Sequence, residues 1–368
     1  MTCDSCDPCL RRALLVAHLA PRIAGLLGRG DRRTHGLLGL SEHELIAAAA
    51  GRHVEGALAF LDALDVAGER GRLTEAGFLV ACAHSPRYPP LLHDLPDAPA
   101  VLFGAGCRKA LELLIEEPVV TVVGTRRASP YGTEVAYALG RGLGASGVPV
   151  VSGLALGVDG TAHRGCLDGG GVPVAVVAGG PDVVYPRRHR SLHERIREAG
   201  VVLSERPPGT EPYRWSFPAR NRIMAGLARM TLVVEAADPS GSLITAEFAR
   251  DLGRCVAAVP GRVTSSLARG TNNLLRDGAT PISGTEDVLD ELFGVGVRAA
   301  PDPPGARGEL SDSGLRAVLD AADTHESVEA VARATGRTVP ETRAALGRLE
   351  ADGHLVRRDL GGWERAAR

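Results

Sequence analysis

The chain has 368 residues, of which 44% are hydrophobic and 23% charged, and its formal net charge is −2. This length suits about two or three domains, and the balanced charge excludes a chain that is basic throughout, so any contact to nucleic acid must come from a local patch. No apolar run reaches about 18 residues and no basic start precedes an apolar segment, which predicts a cytoplasmic protein without a membrane anchor.

The seven cysteines do not suggest a disulfide framework, since their number is odd, as is common in a reducing compartment. Cys3, Cys6 and Cys9 form a Cys-x-x-Cys-x-x-Cys run, the usual start of a zinc or iron–sulfur site. A second pair is missing from the sequence, in which the other candidate ligands stand singly: His18, Cys82 and Cys107. We therefore favour a frayed terminus without a metal ion over a metal site, and we expect no cofactor.

Residues 1–82 are predicted to form a small helical domain. Ser41 and Glu44 have the spacing of a capping box in front of an apolar helix, and residues 57–64 have the pattern of a further amphipathic helix. The turns between the helices give the segment a SAM-like or helix-hairpin-helix-like character, the latter being typical of modules that bind the DNA backbone. Ordinary helix packing explains the same pattern and is the interpretation that we favour.

Residues 83–297 are predicted to form a sheet domain in which strands and helices alternate. A proline-rich lead-in ends in a short strand near Phe103, and a helix is predicted from Ser129 and Pro130 to Ala145. Six more strands are predicted from short apolar runs: 119–123, 148–151, 174–178, 201–204, 231–235 and 255–259. This alternation predicts an α/β fold with a doubly wound, mainly parallel sheet.

The last two segments are predicted to be a linker and a winged helix. Residues 298–312 are rich in proline and lack periodic apolar residues, which is typical of a linker. Residues 313–368 have the pattern of three short helices and a two-stranded wing. Nine arginines in this module are balanced by nine aspartates and glutamates, so we expect a partner or regulatory surface rather than the main DNA contact.

Glycine-bearing and arginine-rich turns follow several of the predicted strands. Ligands of doubly wound sheets bind at the carboxyl ends of the strands, so these turns are expected to meet at one edge. Helix starts and guanidinium forks bind phosphate, while aromatic rings such as Tyr185 and Phe217 stack on bases. The residues predicted to form this site for an anionic polymer are Gly124, Thr125, Arg126, Arg127, Ser152, Gly153, Gly157, Tyr185, Arg187, Arg188, Arg220, Asn221 and Arg222.

Other candidate sites are weaker. The helix start at residues 240–242, which consists of Ser240, Gly241 and Ser242, is expected either to hold another phosphate or to be an ordinary capped helix. Asp159 and His163 have the i, i+4 spacing of an acid–base or metal pair, but we expect Asp159 to cap its helix and His163 to pack in the core. Neither a P-loop nor a complete Gly-x-Gly-x-x-Gly follows a predicted strand. We therefore predict a protein without catalytic or metal-binding residues.

Seven motifs follow one another in this part of the chain: Val-Gly-Thr-Arg-Arg (123–127), Ser-Gly-Leu-Ala-x-Gly-Val-Asp-x-x-Ala-His (152–163), Asp-x-x-Tyr-Pro (182–186), Phe-Pro-x-Arg-Asn-Arg-Ile-x-Ala-Gly-Leu (217–227), Val-Glu-Ala (234–236), Ser-Gly-Ser-Leu-Ile-Thr-Ala (240–246) and Val-Pro-Gly (259–261). With these motifs in register from Tyr88 to Leu292, the sequence resembles the bacterial DNA-processing protein A (DprA or Smf) family.

The resemblance implies an extended Rossmann-like domain with a small helical domain before it and a winged helix after it. It further implies a homodimer that binds single-stranded DNA, protects incoming strands in natural transformation and loads the recombinase RecA onto them, without catalysis. By position, the strand-contacting arginine of the Gly-Ser/Thr-Arg turn corresponds to Arg126, and the basic residue after Tyr-Pro corresponds to Arg187. The Arg-Asn-Arg segment corresponds to Arg220 and Arg222.

Two alternatives remain. A nucleotide-binding enzyme of the lysine-decarboxylase-like (phosphoribohydrolase) type has the motif Pro-Gly-Gly-x-Gly-Thr-x-x-Glu, which residues 239–247 match only loosely because two of its glycines are missing. A winged-helix transcription regulator would need sequence-specific duplex binding, which the balanced charge of the last module disfavours.

Overall fold

The computed structural model of the protein describes residues 3–27, 34–298, 313–325, 327–351, 354–357 and 362–365. The chain divides into two compact units, Met1–Pro301 and Asp302–Arg368. The linker predicted at residues 298–312 lies outside the described residues apart from Arg298. No helix among the described residues has both the length and the apolar composition that are needed to cross a lipid bilayer.

The described residues of the first unit begin with a short strand and five helices: β1 (Cys3–Asp4), α1 (Asp7–Leu26), α2 (Thr34–Leu38), α3 (Glu42–Ala50), α4 (Val54–Asp62) and α5 (Val66–Glu75). Strands and helices then alternate: β2 (Leu79–Cys82), β3 (Val101–Gly106), α6 (Arg108–Glu116), β4 (Val120–Val123), α7 (Pro130–Ala145), β5 (Val150–Ser152), α8 (Val158–Asp168), β6 (Pro173–Val176), α9 (Arg190–Ala199), β7 (Val201–Ser204), α10 (Ser216–Leu227), β8 (Met230–Val233), α11 (Gly241–Asp251), β9 (Cys255–Ala258), α12 (Arg269–Arg276), β10 (Thr280–Pro281) and α13 (Thr285–Phe293).

The described strands of this unit form a ten-stranded sheet in the order β1-β2-β3-β7-β6-β5-β4-β8-β9-β10. From β7 through β4 to β10 every neighbouring pair is parallel, whereas β3 runs antiparallel to both β2 and β7. The chain proceeds outward from β4 to β7, and β8 then lies on the other side of β4. This arrangement confirms the predicted doubly wound, mainly parallel sheet.

The central strands are buried on both faces, as their β-branched sequences predict. Val120 and Val122 of β4 pack in the core on one face of the sheet, while Val123 packs in the core on the other. All six strands predicted between residues 119 and 259 are present, with ends that shift by at most two residues. The helix predicted from Ser129 and Pro130 to Ala145 is also confirmed, and the Ser129 side chain accepts a hydrogen bond from the Gly132 N–H as its N-cap.

Helices α7 and α8 pack so closely that glycine is required between them. A Cβ at Gly140 would lie 2.2 Å from the carbonyl oxygen of Ala162, and a Cβ at Gly165 would lie 2.2 Å from that of Tyr137. The two helices start directly after the turns that follow β4 and β5. Their packing therefore places these two turns side by side at the carboxyl edge of the sheet.

The described helices before β2 belong to the same compact unit as the sheet. Leu15 and Leu19 of α1 share one apolar core with Trp215, and the indole Nε1 of Trp215 donates a hydrogen bond of 3.2 Å to the Ala20 carbonyl. The core of these helices is completed by Trp215 and Ala219, which follow β7 in the chain. The capping box predicted at Ser41 is confirmed.

Where the structure describes the second unit, it has three helices followed by a two-stranded ladder. The helices are α14 (Ser313–Thr324), α15 (Val328–Thr335) and α16 (Val339–Ala351), and the antiparallel strands are β11 (Leu355–Arg357) and β12 (Trp363–Arg365). Gly336 ends α15 in the left-handed conformation, with φ of +67°. Leu346, Leu349, Leu355 and Trp363 contribute to one apolar core of this unit. The order of elements is that of a winged helix.

Candidate nucleic-acid interface

A cleft lies at the carboxyl edge of the parallel strands, where the turns after β4, β5 and β6 meet the start of α10. Its lining combines small residues, aromatic rings and two arginines: Arg126, Gly153, Ala155, Leu156, Val177, Ala178, Gly179, Val183, Tyr185, Pro186, Pro212, Phe217 and Arg220. Arg126, Gly153, Tyr185 and Arg220 of this lining belong to the predicted site, and Phe217 is one of the rings predicted to stack on bases. The turns predicted to converge from β4, β5 and β6 therefore do converge.

The turn after β4 is held by Glu235, which follows β8. The Thr125 N–H donates to the Glu235 carbonyl at 2.6 Å, and the N–H and hydroxyl of Ser129 each donate to the Glu235 carboxylate at 2.8 Å. The side chains of Arg126 and Arg127 are exposed in this fixed turn. This role of Glu235 was not predicted, although a carboxylate at the end of the predicted strand 231–235 was a usable signal.

Gly157 allows the turns after β4 and β5 to touch. Its φ is +79°, and a Cβ here would lie 2.3 Å from the Thr125 carbonyl oxygen and 2.9 Å from that of Arg126. The neighbouring Val158 N–H donates to the same Thr125 carbonyl at 3.2 Å. A side chain at position 157 would separate the two turns, so this glycine sets the position of Arg126 relative to the cleft.

Asp159 does not cap α8, contrary to the sequence prediction. The N-cap is Gly157, and Asp159 lies in the first turn of the helix, where its buried carboxylate accepts a hydrogen bond of 3.1 Å from the Gly153 N–H. Burial raises the pKa of Asp159, while the nearby Arg220 charge opposes the rise. The carboxylate thus faces back toward the preceding turn and helps to fix its shape.

Arg220 forms the floor of the cleft. Its guanidinium is buried and donates hydrogen bonds to the carbonyls of Gly153, at 2.6 Å, and of Val176. Burial lowers the pKa of Arg220 to about 10, so the group stays charged at neutral pH. A Cβ at Gly153 would lie 2.6 Å from this guanidinium. Arg220 therefore holds the ends of β5 and β6 together and contributes positive charge from below.

Two aromatic rings and an exposed guanidinium form another part of the cleft lining. The Arg126 guanidinium lies 5.6 Å from the centre of the Phe217 ring, a cation–π contact. The rings of Tyr185 and Phe217 are 5.3 Å apart at an interplanar angle of 57°, and Tyr185 is 50% exposed. An exposed ring beside an exposed guanidinium can accept a stacked base and an adjacent phosphate.

The turn after Tyr185 adds two more exposed cations. Arg187 and Arg188 lie on a short 3-10 turn, and both side chains are exposed. His189, which ends that turn, is buried and its Nδ1 lies 3.0 Å from the Leu154 carbonyl oxygen. The histidine links the basic turn to the turn after β5, so it acts as a positioning residue for Arg187 and Arg188.

The structure corrects the prediction for Arg222. Its side chain is 1% exposed, and it forms salt bridges of 2.8 Å to Asp97 and 2.8 Å to Glu205. Burial alone would lower the pKa of Arg222, but the two carboxylates outweigh this effect and hold the pKa above its ordinary value. Arg222 is thus committed to a buried ion pair and is not available to a strand of nucleic acid.

Asn221 and the helix start at α11 are not among the residues that line the cleft. The Asn221 side-chain amide donates to the Gly241 carbonyl at 3.1 Å, which ties α10 to α11. Ser240 is the N-cap of α11, and its hydroxyl lies 2.8 Å from that of Ser242. These contacts are those of a capped helix, and phosphate binding at this helix start stays a prediction.

Ser152 and His163 are core residues behind the cleft. The Ser152 hydroxyl donates to the Val122 carbonyl at 2.6 Å, so it is used between strands rather than toward a ligand. His163 is fully buried, and burial lowers its pKa to about 3, so the imidazole is neutral near pH 7. The prediction that His163 packs in the core is confirmed.

The structure also brings the Cys6 and Cys9 pair together with two later residues, whereas the sequence led us to expect a frayed terminus at this pair. Cys6 and Cys9 lie beside Cys82 and His84, with one ligand atom from each within 4.8 Å of all the others. The Cys-x-His spacing at residues 82–84 was the sequence signal for the second half of this group. The side chain of Cys3 lies outside the described part of the chain.

The family model and the curated relatives that match this sequence belong to one family. A family model described as DNA recombination-mediator protein A matches residues 79–293. The DNA processing protein DprA of Bacillus subtilis (strain 168) is 39% identical over 218 residues, which cover 59% of this chain and 72% of the relative. The structure of DNA processing protein A (DprA) from Streptococcus pneumoniae aligns with a TM-score of 0.62 and 34% identity over 77% of this chain and 96% of that chain.

A second solved structure adds information on a ligand of a relative. It is that of DNA processing protein A from Helicobacter pylori, and it is described as giving insight into the single-stranded DNA binding mode of that protein. It aligns with a TM-score of 0.52 and 30% identity over 59% of this chain and 95% of that chain. Both alignments confirm the Rossmann-like fold predicted from the motifs.

Proposed function

The chain belongs to the DNA recombination-mediator protein A family, and we propose that it is a non-enzymatic DNA-processing protein that binds single-stranded DNA across the cleft described above. The observation that carries this proposal is the exposed Arg126 guanidinium over the Phe217 ring, next to the exposed ring of Tyr185. In a complex with a single strand, a guanidinium can bind the phosphate of a nucleotide, and an aromatic ring can stack on its base.

The exposed arginines supply the electrostatic part of binding. Arg126, Arg127, Arg187 and Arg188 are exposed along the same edge of the sheet, and guanidinium groups bind phosphate oxygens in pairs. Each phosphate that they neutralise releases counterions, so affinity should fall as salt rises. Such contacts are independent of base sequence, which suits a protein that must accept any incoming strand.

The aromatic part accounts for a preference for single strands. Stacking of one base on an aromatic side chain contributes about 1–3 kcal/mol, but only an unpaired base offers its face to Tyr185. A duplex would have to unstack before it could make the same contact. We therefore expect tighter binding to a single strand than to a duplex of equal length.

Membership of the family supports further steps in the same role. We propose that the protein acts in the cytoplasm as a homodimer, protects strands that enter during natural transformation, and loads RecA onto them. The balanced charges of residues 313–368 suit a partner or regulatory surface better than a second strand-binding surface. The helix start at Ser240–Ser242 and the Arg222 ion pair take no direct part in this proposal.

The test is a fluorescence-anisotropy titration of a labelled oligonucleotide, single-stranded or duplex, at several salt concentrations. We expect wild type to prefer the single strand, and Arg126→Ala and Arg187→Ala each to weaken binding. Each variant should also flatten the plot of log affinity against log salt by about 0.7, the value for one phosphate contact on a single strand. RecA loading onto the bound strand is then the next assay.

Arg250→Ala is the matched control. Arg250 is an exposed arginine in the last turn of α11, and the last turns of crossover helices lie at the opposite edge of the sheet from the cleft. It should bind like wild type. Equal binding by Arg126→Ala, Arg187→Ala and wild type would contradict the proposal. Release of free base from a nucleoside monophosphate would favour the phosphoribohydrolase alternative instead.

A further inference from the structure

Four potential metal ligands meet at the edge of the sheet, on the far side of β3 from the parallel strands. The Sγ atoms of Cys6 and Cys9 each lie 3.4 Å from the Nδ1 atom of His84, and the Sγ atoms of Cys6 and Cys82 are 3.9 Å apart. One ligand atom from each of the four residues lies within 4.8 Å of all the others. Three sulfurs and one imidazole nitrogen thus surround one small volume.

These distances fit a tetrahedral zinc ion. With Zn–S bonds of about 2.3 Å and a Zn–N bond of about 2.0–2.1 Å, tetrahedral geometry places two sulfurs about 3.8 Å apart and a sulfur and a nitrogen about 3.6 Å apart. The sulfur–sulfur distance of 3.9 Å and the two sulfur–nitrogen distances of 3.4 Å are close to these values. A disulfide would instead require a sulfur–sulfur distance of about 2.0 Å.

The local backbone holds the ligands in the way that zinc sites commonly require. Cys6 is the N-cap of α1 and Cys9 lies in its first turn, so the Cys-x-x-Cys pair stands at a helix N-terminus, where the helix dipole favours thiolates. Cys82 ends β2, and its sulfur accepts a hydrogen bond of 3.4 Å from the Cys6 N–H. Hydrogen bonds of this outer kind orient ligands and support metal binding.

Burial adds a second indication. Cys9 is 7% and Cys82 is 2% exposed, and both pack in an apolar core with Leu10 and Phe103, whereas His84 is exposed. The site is therefore closed on the protein side and has its imidazole toward solvent. Four protein ligands leave no open position for a substrate, which is typical of a structural rather than a catalytic zinc site.

We propose that Cys6, Cys9, Cys82 and His84 bind one structural zinc ion. The ion connects the start of α1 to the end of β2 and so reinforces the two-residue pairing of β1 with β2, in which Cys3 lies opposite Val80 and Asp4 opposite Ala81. A pairing this short is weak by itself, and β1 is the edge strand of the sheet. This site is separate from the cleft and does not depend on the proposed DNA-binding function.

The test uses the full-length chain without a polyhistidine tag, purified under reducing conditions, with zinc measured by atomic emission. We expect one zinc ion per chain. Replacement of zinc by Co²⁺ should give the thiolate-to-cobalt charge-transfer band and the visible bands of a tetrahedral site. X-ray absorption at the zinc edge should report three sulfur ligands and one nitrogen ligand.

Variants assign the ligands. Cys6→Ser, Cys9→Ser and Cys82→Ser should each weaken zinc binding by at least about 100-fold, because the loss of outer hydrogen-bond partners alone costs roughly 10- to 100-fold. Cys107→Ser is the matched control, since Cys107 is exposed and outside the group. His84→Ala changes an exposed residue, so it should fold, lose the nitrogen ligand and bind zinc more weakly.

Three results would overturn the proposal. One is a chain that takes up no zinc when it is loaded with the ion while its thiols are reduced. Another is a Cys6–Cys82 or Cys9–Cys82 disulfide in protein that was expressed in a reducing cytoplasm and purified under reducing conditions. The third is unchanged zinc binding in His84→Ala and in the three serine variants. None of these results would alter the oligonucleotide titration, so failure here and failure of the DNA-binding proposal are distinguishable.

Discussion

Three consecutive side chains of α10 point in three directions. Arg220 lies under the cleft, Asn221 reaches the Gly241 carbonyl, and Arg222 is paired with Asp97. A helix turns by about 100° per residue, so adjacent residues cannot share one face. The Arg-Asn-Arg motif is therefore three separate contacts, and only Arg220 belongs to the site predicted for it.

The first prediction concerns the stability that Arg222 provides. Arg222→Met should lower the free energy of unfolding by about 3–5 kcal/mol, because Asp97 and Glu205 would then be left near the interior without their cation. Urea denaturation followed by circular dichroism measures this change. Arg127→Met is the control, since Arg127 is exposed, and it should leave stability within about 0.5 kcal/mol of wild type. Equal stability of the two variants would contradict the ion-pair assignment.

The sequence showed which types of residue lie near the site, but it did not show which partner each side chain contacts. The cap at Ser129 and the capping box at Ser41 were predictable because their partners lie three residues away. Cys6 and His84 are 78 positions apart, and Arg222 and Asp97 are 125 apart. No local pattern joins residues at such separations, so these contacts required the fold.

At the scale of the elements, the cleft depends on how closely two turns approach. Gly157 is the point of contact between the turns after β4 and β5, because its φ is +79° and a Cβ at this position would lie 2.3 Å from the Thr125 carbonyl oxygen. The sequence predicted that this glycine lies in a turn at the start of a helix and that the turn binds phosphate. The structure assigns it to packing between turns, which in turn fixes Arg126.

The second prediction tests this approach. Gly157→Ala should weaken single-strand binding by about tenfold or more and lower stability by about 1–3 kcal/mol, because the turns must separate and the left-handed backbone is strained. Gly147→Ala is the matched control: Gly147 has a φ of +73°, but no atom lies within 4 Å of a Cβ there. It should lose stability without losing affinity. The anisotropy titration and urea denaturation separate the two effects, and equal affinities would contradict the assignment.

The predicted strands of the parallel block were confirmed because their apolar runs are short, are bounded by turn residues and alternate with helical patterns. The antiparallel extension was harder to predict. β1 has only two residues, which is too short to mark a strand, and the four residues of β2 follow directly on a helical pattern. Their place in the sheet follows from successive pairings: β1 pairs with β2, β2 with β3, and β3 with β7, which lies about 100 positions later in the chain.

At the scale of the whole molecule, the two compact units suggest that strand binding belongs to the first unit alone. The third prediction is that a chain ending at Pro301 keeps the single-strand affinity and the salt dependence of the full-length protein. All the cleft residues lie before that point, and residues 313–368 carry as many acidic as basic side chains. A loss of affinity above about tenfold would instead assign strand contacts to the second unit. Cooperative thermal unfolding of the shortened chain is the control for its folding.

The core that joins α1, α3 and α4 to Trp215 and Ala219 has a consequence for biosynthesis. Helix α4 ends at Asp62, so about 150 further residues must be made before Trp215 is added. At about 5–20 residues per second this takes roughly 8–30 s, during which the leucines of these helices have no complete partner surface. Nascent chains released in that interval should be clients of chaperones that bind apolar segments, whereas chains released after Ala219 should bury these leucines.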